Sequence, residues 1–532
     1  MKTSTKTSIE TAIETAIETG RLPFDAVMIG FLAVGVAPCP SLSAFGQPIS
    51  DAVTREVRAA ALGSGSSVSV AISAIETDTL LAAFEPDRAM VPASNQKLLT
   101  SVAAFRELGP DFVFRTHFVL SEDGTLTVVG SGDPALGDPE ILSLASPPTT
   151  LEQVLDDIAA AVAEAGTERI EAVVIDDRVF DRNLVHPSWP ADQHDRHYSA
   201  PVAGVNIHRN VVSLTPRPSP AGPGNRAEVK VSPNTSWVTV DVQAKTVGEG
   251  RNVFRAERDE SGRRFRVLGK IREPSTISAD VTMRDPATFF GGLIADALER
   301  RGIEVGEAGR NVLEDVRLAS NDDPSPSGDA VAWIDTPLPF IARRCNVDSA
   351  NLYAEAMLKR VGAGAGRGQG SWPAGASAIR AQIAEHLSPR DATRTIVADG
   401  SGLSRDNRVS PGTLVRWLDA AYEDETIRDA LIESLPEPGE GTLRNRFTEQ
   451  RPANRLYAKT GTIRGVSTLS GYLVHEGSGL AVAFSIMTND LSGPSATRNA
   501  RRLQERLVLL ADQELSRMAQ ASAEIGTIDY GG

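Results

Sequence analysis

Apolar residues between Ile49 and Leu62 fall at helical spacing, and those from Ser67 to Phe84 suit a pair of short strands. A second helical stripe, Leu98, Val102 and Phe105, begins just after Pro92-Ala93-Ser94, so that tripeptide reads as a helix entry. From about Phe112 the texture changes to short β-like runs broken by Gly, Pro and Asp, such as "FVFRTHFVL", "IEAVVIDD" and "RFRVLGKI". Two helical stretches interrupt them, "EQVLDDIAAAVAEAG" and "PATFFGGLIADALERRG", and a polar Pro/Ser segment, "SNDDPSPSGDA", closes the region. Helices then dominate ("PLPFIARRCN", "ANLYAEAMLKRVG", "GASAIRAQIAEHL"). Two strands, "TLSGYLVH" and "LAVAFSIMTN", and the helix "TRNARRLQERLVLLADQEL" follow.

This order predicts an α/β protein of the α+β type, in which an antiparallel sheet flanked by helices is split by a large β-rich insertion. The expected parts are a leader over 1–46, a first half of the split domain over 47–115 and an insertion of one or more domains over 116–325. The second half of the split domain covers 326–518, and 519–532 reads as a flexible tail. At 532 residues the chain is long enough for more than one domain. In the leader, Lys2, Lys6 and Arg21 precede the apolar run Val27–Ala37, which is too short to span a bilayer comfortably, and small residues around Ala44 and Gly46 suit cleavage. The protein is therefore expected to be exported, periplasmic or otherwise outside the cytoplasmic membrane, with no integral membrane anchor in the mature chain.

A net charge of −15 with no basic patch excludes phosphate-neutralising surfaces, so no nucleic-acid partner is expected. Two cysteines, Cys39 in the leader and Cys345 alone in the body, cannot form a disulfide framework, and Cys345 reads as a small buried residue. His194 and His197 lack the spacing of a metal-binding helix and read as a polar loop.

Lysine is the informative cation. Of 54 lysines and arginines only eight are lysines, so a lysine marks a place where an amine able to lose its proton is wanted. Ser94-Asn-Gln-Lys97 is the chain's only S-x-x-K and stands at the start of a helix, a poor place for a cation. A desolvated amine there can become neutral and take the proton of an adjacent serine, making Ser94 a nucleophile; a helix cap followed by a snorkelling lysine has the same pattern. Lys459-Thr460-Gly461, the only K-T-G, precedes a strand-like run. A strand edge there could pair with an extended peptide, Gly461 allowing close approach and Lys459, Thr460 and Thr462 donating to a carboxylate; a turn before a hairpin also fits. S-x-N occurs as Ser232-Pro-Asn234, a turn in the insertion, and as Ser349-Ala-Asn351, just before a helix of the split domain.

Taken in order, S-x-x-K, S-x-N and K-T-G form the signature of penicillin-recognising serine acyltransferases. The 255 positions from Ser94 to Ser349 (349 − 94) leave room for the insertion. With "GSGDPAL", "YSAPVAGVNIHRN", "DGSGLSR" and "GTLRNRF" added, the sequence resembles the class C low-molecular-mass penicillin-binding proteins, the D-alanyl-D-alanine carboxypeptidase/endopeptidases. It departs from them at Ala350, where the family has Asp. The resemblance implies peptidoglycan stem peptides ending in D-Ala-D-Ala as substrates and β-lactam antibiotics as inhibitors, with no metal or cofactor. It also implies that Lys97 deprotonates Ser94, that the N–H groups of Ser94 and Thr462 form an oxyanion hole, and that Ser349 with Lys459 relays a proton. Asn351 would orient the peptide, and Lys459, Thr460 and Thr462 would hold its carboxylate. A β-lactamase or esterase using the same Ser–Lys pair, and a non-catalytic wall-binding protein, are the alternatives.

Overall fold

The computed structural model describes residues 46–528 other than 78, 146, 308–313 and 365–367. The expected leader lies outside the described residues except at its last position. The chain forms two compact units, one of residues 112–341 and 363–371 and one of residues up to 111, 342–362 and 372 onward.

The second unit is built on an antiparallel five-stranded sheet. Its main elements are α1 (Gly46–Ala59), β1 (Ser67–Ala74), β2 (Thr79–Phe84), α2 (Gln96–Leu108), α3 (Asn351–Gly362), α4 (Trp372–His386), α5 (Pro411–Glu423), β3 (Arg455–Ile463), β4 (Val466–Val474), β5 (Ala481–Asn489) and α6 (Gly493–Ile528). The strand order is β3-β4-β5-β1-β2, every pair antiparallel. The two halves of the sequence meet where β1 pairs with β5 along Ser67–Ala74.

Apolar residues on both faces of the sheet explain its position between helices. On one face Ile49 and Val53 of α1 and Leu503 and Leu507 of α6 join Leu469 and Phe484 in a buried core. The other face carries α5, which packs on β1 and β5 and buries Trp417 and Leu418. Ser410 caps α5 by accepting the Thr413 N–H, with Pro411 in the first turn where its missing donor costs nothing. Tyr472 is buried on this side and donates its hydroxyl to the Leu418 carbonyl at 2.8 Å. Next to this layer α2 packs on α3, and α3 on α4.

The other unit holds a mixed sheet in the order Val316–Leu318, Ala172–Asp176, Thr125–Val129, Val113–Leu120, Asp329–Pro337. The first three strands are parallel and the last two join antiparallel. Helices Leu151–Glu164 and Pro286–Arg300 supply much of its core, including Val154, Ile158, Phe290 and Leu298. Smaller sheets formed by strands between Val211 and Thr282 complete it.

Three details differ from the sequence reading. Strand Asp329–Pro337 pairs with Val113–Leu120 inside this unit, so the unit reaches beyond the expected limits of 116 and 325. The polar Pro/Ser segment is a loop crossing from one edge strand of that sheet to the other, and its composition marks an exposed connection, not a domain boundary. Helix α6 runs through Ile528 into the stretch expected to be a tail, whose Ala, Gln and Glu residues are good helix formers.

Candidate active site

Ser94 lies in a 3₁₀ turn, Ala93–Asn95, that leads directly into α2, so Ser94 and Lys97 share one face at the helix start. Lys97 has no exposed surface. Its Nζ donates to Asn351 Oδ1 at 2.7 Å and to the Ser401 carbonyl at 2.9 Å, and lies 3.3 Å from Ser94 Oγ. Burial lowers the pKa of this amine below the usual lysine range, while Cys345, Glu355 and Asp399 pull the other way. Two acceptors thus occupy the two N–H groups that a neutral amine has, and its lone pair is left for the Ser94 hydroxyl. That is the geometry of a base beside a nucleophile.

The turn carrying Ser94 is stapled to the sheet. Asn95 donates to the Lys459 carbonyl at 2.6 Å and accepts from Ser470 at 2.9 Å, and Thr468 donates to the Pro92 carbonyl at 2.9 Å. These bonds hold Ser94 against β3, which is an edge strand of the sheet. A Cβ at Gly461 would lie 3.0 Å from Ser94 N and 2.1 Å from Thr468 Oγ1, so only glycine permits this approach.

Lys459 is fully buried, and its Nζ donates to the Thr460 carbonyl at 3.0 Å. Burial first, and then the nearby Lys97, push its pKa down to about 7. Thr460 is half-buried and Thr462 exposed. K-T-G therefore sits inside a nine-residue strand, not ahead of one as the sequence suggested. The alternation of "RLYAKTGTI" is masked by Lys and Gly, which strands disfavour.

Ser349 immediately precedes the Ala350–Asn351 entry into α3 and is held at φ +59. A left-handed non-glycine residue costs about 1–3 kcal/mol and persists where the surroundings require it. The structure therefore joins Ser94, Lys97 and Asn351 by direct contacts, links Lys459 to them through Asn95, and lays Gly461 against the Ser94 turn. Ser232 ends a strand of the other unit, and His194 and His197 also belong to that unit. Among the described residues no cluster of three or more His, Cys, Asp or Glu could hold a metal ion. Cys345 is buried and its thiol is pushed up to about 11, so it stays protonated near neutrality.

Sequence reasoning missed the Ser401 carbonyl and Glu355. A backbone acceptor leaves no mark in residue type. The available signal for Glu355 was a lone carboxylate within the apolar run "LYAEAML".

An antiparallel sheet with a serine–lysine pair at a helix start beside its edge strand is the architecture of the penicillin-recognising serine peptidases. The model of the D-Ala-D-Ala carboxypeptidase 3 (S13) family matches residues 52–513. A D-alanyl-D-alanine carboxypeptidase of an Actinomadura species is 30% identical over 438 residues, 76% of this chain and 74% of that protein. The D-alanyl-D-alanine carboxypeptidase DacB of Haemophilus influenzae is 25% identical, over 81% of this chain and 87% of its own. The crystal structure of penicillin binding protein 4 from the same organism shares the fold, with a TM-score of 0.68 and 22% identity, covering 87% of this chain and 99% of that one. The chain belongs to the D-Ala-D-Ala carboxypeptidase 3 (S13) family of serine-type carboxypeptidases.

Gly461→Ala should slow D-alanine release from a peptide ending in D-Ala-D-Ala by roughly tenfold or more, because an overpacked contact costs about 1–3 kcal/mol here at the reacting end of β3. Steady-state kinetics on the folded variant check this; an unchanged kcat/KM would show that β3 need not approach Ser94 so closely.

Proposed function

We propose that this chain removes the terminal D-alanine from peptidoglycan stem peptides through an acyl-enzyme on Ser94, and that penicillin acylates the same residue. The observation that carries the reading is the fully buried Lys97 amine, bonded to Asn351 and Ser401 and facing Ser94. In this reading neutral Lys97 takes the Ser94 proton as its oxygen attacks the carbonyl of the penultimate D-alanine. The backbone N–H groups of Ser94 and Thr462 receive the developing oxyanion, which is usually a large electrostatic contribution. Ser349 passes a proton to the leaving amine, with Lys459 behind it, and Asn351 orients the peptide. Lys459, Thr460 and Thr462 hold the terminal carboxylate, and water then releases the product.

The same steps cut a peptide cross-link when the leaving amine belongs to a second stem, so we extend the proposal to D,D-endopeptidase action. Such a substrate implies a location outside the cytoplasmic membrane, in keeping with the basic-then-apolar pattern of residues 1–46 that reads as a leader. Among the described residues no helix is long and apolar enough to cross a membrane.

Incubation with labelled penicillin should give one adduct, on the peptide that holds Ser94, absent in Ser94→Ala; an adduct on another serine contradicts the assignment. Lys97→Arg should lose nearly all acylation, since a guanidinium cannot serve as base at accessible pH.

Lys459 generates a pH-dependent prediction. Below about 7 it is an ammonium able to pair with a carboxylate, and above it the charge is lost. The ratio of kcat/KM for a free-carboxylate peptide to that for its C-terminal amide should therefore fall as pH rises through about 7. Lys459→Ala should flatten this ratio and remove about 1.5–3 kcal/mol of the preference. A ratio that ignores pH in the wild type would separate Lys459 from the carboxylate.

A further inference from the structure

Glu355, one helical turn beyond Asn351 on α3, is fully buried and takes no part in the chemistry above. Its Oε1 accepts the Ser401 N–H at 2.8 Å, and its Oε2 accepts the Gly400 N–H and the Trp372 indole N–H, each at 2.8 Å. Two consecutive peptide N–H groups are thus gripped by the two oxygens of one carboxylate. The carbonyl of the second of these residues, Ser401, is the acceptor for Lys97 Nζ. The same segment is held from within by Asp399, which accepts from Gly402 N at 2.8 Å, Ser404 N at 2.6 Å and Asn407 Nδ2 at 2.7 Å. It is also pressed against α3 and against the Ser94 turn. A Cβ at Gly400 would meet the Ala354 carbonyl of α3 at 2.5 Å, and one at Gly402 the Ala93 carbonyl at 1.8 Å.

We infer that Glu355 is a positioning residue for Lys97: its carboxylate, through the Gly400–Ser401 peptide, aims the carbonyl that fixes the amine's lone pair on Ser94. Asn351 and Glu355 then supply, from one face of α3, both acceptors that orient Lys97, the first directly and the second through the backbone. The inference rests on Lys97 being the base for Ser94.

The chemistry of a carboxylate makes the role specific. Only the ionised form offers acceptors on both oxygens. A protonated acid, or a glutamine, turns one oxygen position into a donor facing an N–H. Burial and the neighbouring Asp399 raise the Glu355 pKa to about 7, against the opposing pull of its N–H donors. The groups facing Lys97 are Glu355 on α3, Asp399 in the loop, Cys345 on the helix Leu338–Val347 and Lys459 on β3. Burial lowers the Lys97 pKa, and of these groups Cys345, Glu355 and Asp399 favour its ammonium form, so together they set its acid limb. Ionised Glu355 thus does two opposed things: it aims the amine correctly, and it makes that amine harder to deprotonate.

The test is the single-turnover rate of acylation by a chromogenic penicillin, followed from about pH 5 to 9 so that the acid limb is visible. Glu355→Gln should slow acylation by roughly tenfold to a hundredfold, the loss expected for one spoiled hydrogen bond to a charged group. The residual rate should show its acid limb at lower pH, because Lys97 has lost a stabilising negative charge. Trp372→Phe keeps the ring but removes one donor to the carboxylate and so raises the Glu355 pKa; because the productive state needs Glu355 ionised and Lys97 neutral together, its acid limb should move the other way, to higher pH. If Glu355→Gln does not fold, Trp372→Phe decides alone. A slower rate with the limb in place in both variants would make Glu355 a structural residue only and overturn the inference, as would wild-type rates. Normal acylation by Lys97→Arg would instead remove the base assignment itself, a failure separate from any result with Glu355.

Discussion

An amine kept wholly out of water must either find acceptors for each N–H or give up its proton, and Lys97 meets both demands at once. Its neighbours are a hydroxyl, an amide oxygen and a peptide carbonyl at bonding distance, with the carboxylates of Glu355 and Asp399 acting on it less directly. That environment fixes what surrounds it. Helix α3 must pass close enough to bring Asn351, the Asp399–Ser404 segment must turn its carbonyl inward, and the Ser94 turn must be tied to β3. Glycines at 400, 402 and 461 are the places where backbone approaches leave no room for a side chain.

Much of the candidate site is legible because the chemistry proposed for it needs particular side chains at fixed local spacing. Ser94 and Lys97 are visible as a pair one helical turn apart, in a chain that draws nearly all its positive charge from arginine. Ser349 and Asn351 were visible only in company, since a short S-x-N also occurs at Ser232, where the chain makes a different structure. The sequence does not mark β3 as a strand, although K-T-G points to its use as an edge. Its pairing comes from the register with β4, Lys459 opposite Ser470 and Gly461 opposite Thr468, a long-range fact that local propensity does not contain.

The fold was legible in the same uneven way. Periodicity marks the helical and strand-like segments, and their order implies an antiparallel sheet in the second unit. In the inserted unit the three parallel strands were not foreseen, because a short apolar run such as "AVVID" looks the same in either pairing. The Pro/Ser segment misled for a physical reason as well. Solvent-exposed connections and domain linkers share one composition, and here the segment joins the two edge strands of a single sheet.

The most direct test of the account is the charge on Lys97 itself. Protein labelled with ¹³C at the lysine ε-carbon contains few lysine signals, eight at most in the whole chain, and Lys97→Arg assigns the relevant one. Titration of that signal should show Lys97 losing its proton below the usual lysine range, so that a neutral amine faces Ser94 at the pH of catalysis. A Lys97 signal that stays protonated to about pH 10 or above, as an ordinary lysine does, would contradict the account, leaving Ser94 without its base.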